Sequence, residues 1–235
     1  MQEISHQMMG YDRTSIMFSP DGRLLQVEYA KESVKQGSTA IGMVCKDGVL
    51  LVADKRIADK LMVAESVEKI FQVDEHIGAT ATGAIMDGRV LIERARVMAQ
   101  QHTVTFGVPI DTQSLIKEVC DIKQFYTQYG GARPFGVSIL FGGVDDDTPV
   151  LYLTDPMGVY FEYKATAVGE AEAEVKAILN KTYKESLTIE EGIKVAVNAL
   201  KKVLGRDFDI RRMDAAYIKT DNKKFTRFDR RKMKL

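Results

Sequence analysis

Two groups of side chains in this sequence have residue types that could bind a metal ion. The three histidines, His6, His76 and His102, are scattered along the chain, and none has a second ligand at the spacing of a zinc site. The acidic run from Asp145 to Asp147 lacks the glycine and the distal glutamate of an EF-hand calcium loop. A charged hairpin turn is the better interpretation of this run, and we expect neither a metal nor another cofactor.

A third group of side chains, the basic tail at the end of the sequence, could bind nucleic acid. Proteins that bind single strands combine such cations with aromatic platforms on a folded face, and Phe225 and Phe228 are weak support for that arrangement. We favour a solvated terminus, and salt-dependent retention on DNA or RNA would distinguish the two interpretations. The cations are Lys223, Lys224, Arg227, Arg230, Arg231, Lys232 and Lys234.

The composition is that of an ordinary globular protein. Of 235 residues, 45% are hydrophobic and 28% are charged, and the formal net charge is zero, so no global field attracts nucleic acid or an acidic membrane. We find no apolar run of signal-peptide or membrane-spanning length. Cys45 and Cys120 lie in apolar patterns far apart in sequence, which favours buried, reduced thiols over a disulfide. A cytoplasmic protein is expected.

The first half of the chain changes from strand to helix periodicity. Two β-rich runs, 39–45 and 49–54, flank a hairpin signal, and the strand pattern resumes between residues 70 and 82. At Gly83 the apolar period changes from two to about 3.6, which predicts a helix that ends before Gly107. Its apolar residues include Ile85, Val90, Ala95, Met98 and Ala99. Asp111 can cap a second helix, with the stripe Leu115, Val119, Ile122 and Tyr126.

The second half repeats this order. Strand patterns at 135–144, 150–153 and 159–164 precede a helix that carries Val175, Ile178, Leu179 and Tyr183. Thr188 and Glu191 form the capping box of another helix. A last strand at 215–219 precedes a polar tail.

Helices that occur in pairs between blocks of strands favour an α+β fold over a parallel doubly wound sheet. The natural arrangement is two sheets packed face to face with a helix pair on each outer side, a four-layer αββα sandwich. The sequence contains no internal repeat or linker, so we expect one domain over residues 1–235.

The segment from Met9 to Gln36 reads as a polar arm, a sharp turn and an amphipathic helix over residues 22–35. Pro20-Asp21-Gly22 is typical turn chemistry, and Gly37 fits a glycine stop. The predicted helix has an apolar stripe that must be covered, which suggests an element that docks on a partner. The stripe is Leu24, Val27, Ala30 and Val34.

Four linked motifs in this region, YDR, SPDGRL, QVEYA and GSTAIG, resemble the N-terminal signature of proteasome core-particle α subunits, especially the archaeal type. The resemblance continues into YTQYGGARPFGVS and EYKATAVG. It implies the four-layer fold of the N-terminal-nucleophile hydrolases. It divides the chain into a gate arm and helix (1–37), a sandwich (38–220) and a basic tail (221–235).

The resemblance also implies three functional sites. Lys69, Gly83 and Leu24 would line a pocket between neighbouring subunits, where the lysine ammonium receives the C-terminal carboxylate of an activator tail. The residues of the gate would be Tyr11, Asp12, Arg13, Pro20 and Tyr29. The alternative is that the N-terminal residues form only a frayed terminus without a function. A narrow annulus below the gate would be lined by Tyr129, Gly130, Gly131 and Ala132, where the two glycines allow a close backbone approach.

The implied function is non-catalytic. The chain would form a heptameric α ring, stack on a ring of catalytic β subunits, and control the entry of unfolded substrates until an ATPase or other activator docks. No nucleic acid, membrane or catalytic residue is implied.

An autoprocessed threonine or serine peptidase is the alternative. In catalytic relatives a Gly-Thr bond is cut to free a nucleophile whose amine acts as base, helped by an aspartate and a lysine. Gly37-Ser38-Thr39, Asp54 and Lys69 fall near those places. However, a patterned helix precedes them, and Asp54 is better explained as a structural hydrogen-bond acceptor.

Overall fold

Two antiparallel five-stranded sheets form the centre of the fold in the computed structural model, which describes residues 10–11, 13–56, 61–63 and 66–228. The first sheet contains β1 (Ala40–Cys45), β2 (Gly48–Asp54), β8 (Ala165–Val168), β9 (Met213–Lys219) and β10 (Phe225–Arg227), in the order β10-β9-β2-β1-β8. The second contains β3 (Ile70–Asp74), β4 (Ile77–Gly83), β5 (Val137–Asp145), β6 (Thr148–Thr154) and β7 (Tyr160–Glu162), in sequential order.

Helices cover the outer faces of both sheets. α1 (Leu25–Lys35) precedes the sheets, α2 (Ile85–Phe106) and α3 (Thr112–Gln128) pack on the second sheet, and α4 (Glu172–Thr182) and α5 (Ile189–Leu204) pack on the first. Two short 3-10 turns, Gly205–Asp207 and Ile210–Arg212, lead from α5 into β9. The predicted four-layer αββα sandwich of α+β class is confirmed.

Side-chain alternation along the strands separates three apolar cores. In β2, Leu50 faces α5, while its neighbour Leu51 faces the second sheet. In β5, Phe141 packs under α2 and α3, and Leu140 points to the first sheet. β2 and β5 therefore each contribute to the core between the sheets and to one core beneath the helices.

Several helices and turns begin where capping and turn residues in the sequence predicted. The side chain of Asp111 accepts a hydrogen bond from the Ser114 amide at 2.8 Å and caps α3. Thr188 and Glu191 form the predicted capping box of α5. The run from Asp145 is the predicted hairpin turn between β5 and β6, and Asp145 also accepts from the Thr112 hydroxyl at 2.7 Å.

The expectation for the N-terminal helix was partly wrong. α1 begins at Leu25, and Leu24 occupies the half-buried N-cap position, so Leu25 joins Val27, Ala30 and Val34 on the buried face. This face packs on β4 and β5 of the same chain, and Val34 enters the core between the sheets. The apolar stripe therefore stabilises the protomer itself and is not a surface for a neighbour.

The predicted strand at 159–164 is only partly correct: β7 covers Tyr160–Glu162, and the chain then changes sheet within the predicted range. The Tyr163 amide donates to the Leu151 carbonyl of β6 at 2.8 Å. The next residue, Lys164, accepts from the Val44 amide of β1 at 2.8 Å. β7 consequently ends at Glu162 in the second sheet, and β8 starts at Ala165 in the first.

The predicted boundary of the sandwich at residue 220 is wrong as well. β10 pairs with β9, and the Phe225 ring packs against the core between the sheets. The Phe225 amide donates to the Glu75 carbonyl at 2.6 Å, and Arg227 donates to the Ile70 carbonyl at 2.8 Å. The tail as far as residue 228 is thus part of the fold, while Arg230, Arg231, Lys232 and Lys234 lie outside the described residues.

In α2 the predicted apolar stripe mixes buried and exposed positions. Ala95 and Ala99 are buried as expected, whereas Ile85 and Val90 are exposed. Leu91 and Ile92 take their places in the core. The prediction is therefore right in the second half of α2 and wrong at Ile85 and Val90.

Both cysteines are free and buried, as predicted, and burial raises the pKa of each thiol to about 12. Within the part of the chain that the structure describes, no helix is both long enough and apolar enough to cross a membrane.

Candidate functional site

The side chain of Lys69 is buried without a polar partner among the described residues. It immediately precedes β3 and is only 4% exposed, and its Nζ has no hydrogen-bond acceptor there. Burial lowers the pKa of this amine to about 8, an effect that the nearby Asp54 carboxylate opposes and Arg56 reinforces. A buried polar group normally finds a partner in the folded chain, so this Nζ has unused capacity to bind an anionic group.

Asp54 is close enough to affect Lys69, but both of its oxygens are already occupied. Arg212 donates from Nε to Oδ1 at 2.9 Å and from Nη2 to Oδ2 at 2.6 Å. The Arg56 amide donates to the same Oδ1 at 3.2 Å. Asp54 is fully buried, and its expected role as a structural acceptor is confirmed. Sequence reasoning missed Arg212, which lies in a polar segment far along the chain.

Ser38 and Thr39 are internal residues of the chain, in the segment that connects α1 to β1. The Thr39 carbonyl accepts from the Asp54 amide at 3.0 Å, and its hydroxyl accepts from the Ala171 amide at 3.2 Å. The Thr82 hydroxyl donates to the Ser38 carbonyl at 3.2 Å. Both residues are buried, and the Thr39 hydroxyl is used as a structural acceptor.

The structure places Gly83 against the segment before β1 and leaves Leu24 apart. A Cβ on Gly37 would lie 2.4 Å from the Gly83 amide nitrogen, and Lys69 is near enough to Asp54 to interact with it electrostatically. Leu24 stands at the opposite end of α1, whose 11 residues extend about 16 Å. The pocket of Lys69, Gly83 and Leu24 therefore stays a prediction, and within one chain Leu24 is remote from Gly83.

The predicted gate residues lie on an arm with local hydrogen bonds. The Arg13 amide donates to the Gly10 carbonyl at 3.1 Å, Tyr11 is half-buried, and Asp12 lies outside the described residues. Pro20 is exposed in a turn where the Ser19 amide donates to the Arg23 carbonyl at 2.8 Å.

The turn is joined to α1 by an ion pair that the sequence did not reveal. Arg23 binds Glu28 with two hydrogen bonds, one of them from Nε to Oε1 at 2.6 Å. The Arg23 hydrogen bond holds the pKa of Glu28 below its ordinary value although burial opposes it. Tyr29, the next residue, is exposed, so α1 presents a polar and aromatic outer face.

The predicted annulus residues form an exposed loop after α3. Tyr129 stacks on Phe125 with ring centroids 5.3 Å apart, and the Ala132 amide donates to the Tyr129 carbonyl at 3.2 Å. A Cβ on Gly130 would lie 3.9 Å from the Ile16 side chain, so the loop adjoins the N-terminal arm. Gly131 is also exposed.

An ion pair anchors this loop to the start of α2. Arg133 donates from Nη1 and Nη2 to the two oxygens of the buried Asp87, at 2.6 and 2.7 Å. The Gly136 amide donates to Asp87 Oδ2 at 2.9 Å. The bidentate geometry and the backbone contact fix both ends of the segment from Arg133 to Gly136.

Among the described residues, no group of three metal-binding side chains comes together. His76 instead contacts the Ile110 carbonyl through Nε2 at 2.8 Å, and His102 contacts the Val108 carbonyl through Nδ1 at 3.1 Å. Both rings have structural contacts, while His6 lies outside the described residues.

Comparisons with known proteins agree with the fold and with the N-terminal motifs. Residues 34–218 match the family model "Proteasome subunit", and residues 11–32 match the model of the N-terminal signature of A-type proteasome subunits.

Archaeal proteins named as alpha subunits of the proteasome are similar to this chain over most of their length. Identity is 49% for that of Thermococcus sibiricus (92% of this chain, 82% of the relative) and 48% for that of Archaeoglobus fulgidus (92% and 88%). The relative from Methanocaldococcus jannaschii is 52% identical over 82% of this chain and 74% of its own length.

Proposed function

This chain belongs to the family of proteasome α subunits, and we propose that it is a non-catalytic subunit of the gated α ring. In this proposal the subunits form a heptameric ring in the cytoplasm that stacks on rings of catalytic β subunits. The ring admits unfolded proteins when an ATPase or another activator docks. Its function is the control of access and not bond cleavage.

The unpartnered Nζ of Lys69 is the observation that carries the docking part of the proposal. A carboxylate is the ligand that complements a buried ammonium, because the two charges and their hydrogen bonds satisfy each other. The C-terminus of an activator tail supplies such a carboxylate on a flexible segment. Asp54 does not fill this role, since Arg212 already occupies both of its oxygens.

We infer that the docking pocket is completed by two adjacent subunits. Gly83 packs on Gly37, and Lys69 interacts with Asp54, whose amide donates to the Thr39 carbonyl, whereas Leu24 lies at the far end of α1. A neighbouring subunit that presents its own Leu24 beside Lys69 would place all three residues around one ligand. This arrangement makes carboxylate binding dependent on ring assembly.

The gate part of the proposal assigns the arm up to Tyr11, Asp12 and Arg13 to the closed channel. The Ser19–Arg23 turn and the Arg23–Glu28 pair provide a fixed base from which the arm extends. Pro20 stiffens this base, and Tyr29 lies on the exposed face of α1. The loop with Tyr129, Gly130, Gly131 and Ala132, which adjoins Ile16 of the arm, forms the annulus below the gate.

Exposed apolar side chains at the end of α2 support stacking on another ring. Val104 and Phe106 are 87% and 67% exposed, and Val108 in the following loop is also exposed. Exposed apolar side chains that form a patch are typical of protein–protein interfaces, and these three lie close together in sequence.

The buried hydrogen bonds of Ser38 and Thr39 support the non-catalytic assignment. A nucleophile of this class needs a free amine next to its hydroxyl, whereas here α1 leads directly into this segment. The Thr39 hydroxyl is engaged by the Ala171 amide. Asp54 and Lys69 are therefore expected to serve structure and docking.

Substitution of Lys69 tests the docking proposal. In particles reconstituted with β subunits, Lys69→Ala should abolish activator-stimulated proteolysis and leave ring assembly intact. Lys117→Ala, on the exposed face of α3, is the matched control and should keep full stimulation. Undiminished stimulation of the Lys69 variant would exclude Lys69 as the receptor.

Mass spectrometry tests the alternative of an autoprocessed peptidase. Under native conditions the purified chain should assemble in rings of seven, and after denaturation its protomer should retain the residues before Ser38. A mature chain that begins at Ser38 or Thr39 would show that α1 is a propeptide.

A further inference from the structure

We propose that Arg212 is a positioning residue that keeps the Lys69 ammonium available for a carboxylate ligand by occupying Asp54. The inference rests on the proposed docking function of Lys69. It adds a residue outside the motifs from which that function was derived, because Arg212 lies in the 3-10 turn before β9.

Lys69 and Asp54 carry opposite charges that could neutralise each other. Lys69 and Asp54 are both buried and interact electrostatically, yet the structure shows no hydrogen bond between them. Buried groups of opposite charge pair when their geometry allows it, because each otherwise bears an uncompensated loss of solvation. The charge of Asp54 is instead compensated by Arg212, whose bidentate bonds also fix the orientation of the carboxylate.

Arg212 is itself held in place, so its position does not depend on Asp54 alone. Its Nη1 donates to the Asp207 carbonyl at 2.7 Å, and its own carbonyl accepts from the Lys55 amide at 2.8 Å. Asp54 and Asp207 together raise the pKa of the guanidinium, so Arg212 stays charged. The planar fork of an arginine matches both carboxylate oxygens, which a lysine at this position would not do.

Other cations near Asp54 have different partners. Lys55 forms an ion pair with Asp214 at 3.8 Å, and the Arg56 side chain binds Glu170 and donates to the Gln36 carbonyl at 3.3 Å. If Arg212 is removed, Lys69 is, among the cations of the described residues near Asp54, the one left to pair with it. The internal pair would then compete with any incoming carboxylate.

Competitive acetylation of the full-length chain tests this inference directly. Acetic anhydride reacts with the neutral amine, so the rate at Lys69, followed across pH by peptide mass spectrometry, reports how strongly the cation is stabilised. Arg212→Gln should slow Lys69 acetylation by about fivefold at pH 8 and by up to about tenfold at lower pH, the effect of a pKa increase of one unit. An unchanged rate in a folded Arg212→Gln variant would overturn the inference.

Two further variants keep the test decisive if Arg212→Gln folds poorly. The double variant Arg212→Gln/Asp54→Asn removes the competing carboxylate together with its partner and should restore fast acetylation. Asp54→Asn alone should be at least as fast as the wild type. If the double variant remained as slow as Arg212→Gln, a local distortion and not an internal ion pair would explain the effect.

A second measurement separates this inference from the docking proposal. In reconstituted particles Arg212→Gln should reduce activator-stimulated proteolysis, and the double variant should recover part of it. Slower acetylation with full stimulation would support the role of Arg212 at Lys69 and refute docking at Lys69. Normal acetylation with reduced stimulation would refute the role of Arg212 and leave docking at Lys69 in place.

Discussion

Gly37 packs directly on Gly83, with room for only a hydrogen on the facing side: a Cβ on Gly37 would lie 2.4 Å from the Gly83 amide nitrogen. Gly83 in turn approaches β5, because a Cβ on Gly83 would lie 2.3 Å from the Gly136 carbonyl oxygen. The end of α1, the end of β4 and the segment before β5 therefore meet backbone to backbone. The proposed docking pocket and the loop anchored by Arg133 share this contact.

Replacing Gly83 by alanine should destabilise the chain by about 2–4 kcal/mol, since the methyl group would overlap a backbone oxygen and the φ of +112° is unfavourable for alanine. Urea unfolding of the isolated protomer measures this loss. Gly107→Ala is the matched control: its φ is also positive, at +72°, but no atom lies within 4 Å of the added Cβ. It should cost about 1 kcal/mol. Equal losses at the two sites would contradict the close packing at Gly83.

Asp87→Asn should destabilise the chain by about 2–3 kcal/mol at pH 7, because it breaks the charged hydrogen bonds to Arg133. Burial raises the pKa of Asp87, but the bonds from Arg133 and Gly136 outweigh it and hold the folded pKa below the ordinary 3.8. The stabilisation by the wild-type carboxylate is thus complete above pH 3.8 and is lost as the pH falls from there through the lower folded pKa.

Urea unfolding at pH 7 and at low pH should therefore show a difference between wild type and Asp87→Asn that shrinks on acidification. Asp121→Asn, which breaks an exposed pair with Lys117, is the control and should have no measurable effect at either pH. A difference that stayed constant with pH would mean that the charge of Asp87 is not what stabilises the loop.

Lys123→Met should stabilise the chain by about 1–3 kcal/mol at pH 7. Lys123 is fully buried on α3, and its Nζ donates to the Thr154 hydroxyl at 3.0 Å. Burial lowers its folded pKa to about 8 from 10.5, so the unfolded chain binds more protons between these values and wild-type stability rises with pH across that window. The Thr154 hydroxyl retains its contacts with Ile139 in the variant.

The advantage of Lys123→Met should accordingly shrink between pH 8 and 10.5, which guanidinium unfolding at several pH values will show. Lys117→Met on the exposed side of α3 should not change the pH dependence. If Lys123→Met were less stable than the wild type at pH 7, the bond to Thr154 would outweigh the cost of burying the charge.

Phe225→Ala should destabilise the chain by about 2–3 kcal/mol, because the ring fills space between the sheets beside Gly78. Thermal unfolding of the protomer measures the effect. Phe161→Ala removes an exposed ring and should change stability by less than about 0.5 kcal/mol. Similar small effects at both positions would argue that β10 is not part of the stable fold.

The sequence was sufficient to predict structural features that depend only on residues close together in the chain. The caps at Asp111 and Thr188 and the hairpin turns use side chains within a few positions of the backbone groups they bind, so residue type and spacing reveal them. Blocks of strand and helix patterns then suffice for the layered fold, because each element has one face to bury.

Features that depend on distant parts of the chain were not predictable in this way. Arg212 and Asp54 are 158 positions apart, and nothing in either segment indicates that they pair. Strand β10 has three residues and is stabilised by β9 and by the core around Phe225, not by its own pattern. In α1, Leu24 and Leu25 fit a helical stripe almost equally well, and the position of the N-cap decides which one is buried.

The change of sheet between Tyr163 and Lys164 limits how the sandwich can move. Consecutive Cα atoms are about 3.8 Å apart, so this edge has no slack with which one sheet could slide past the other. At the opposite edge β3 and β10 are connected by noncovalent bonds, such as the one from Arg227 to the Ile70 carbonyl. The edge at Tyr163 and Lys164, where one chain segment joins the two sheets, therefore acts as a hinge. A pull on one sheet is transmitted to the other through covalent bonds there, and mechanical opening of the protomer should begin between β3 and β10.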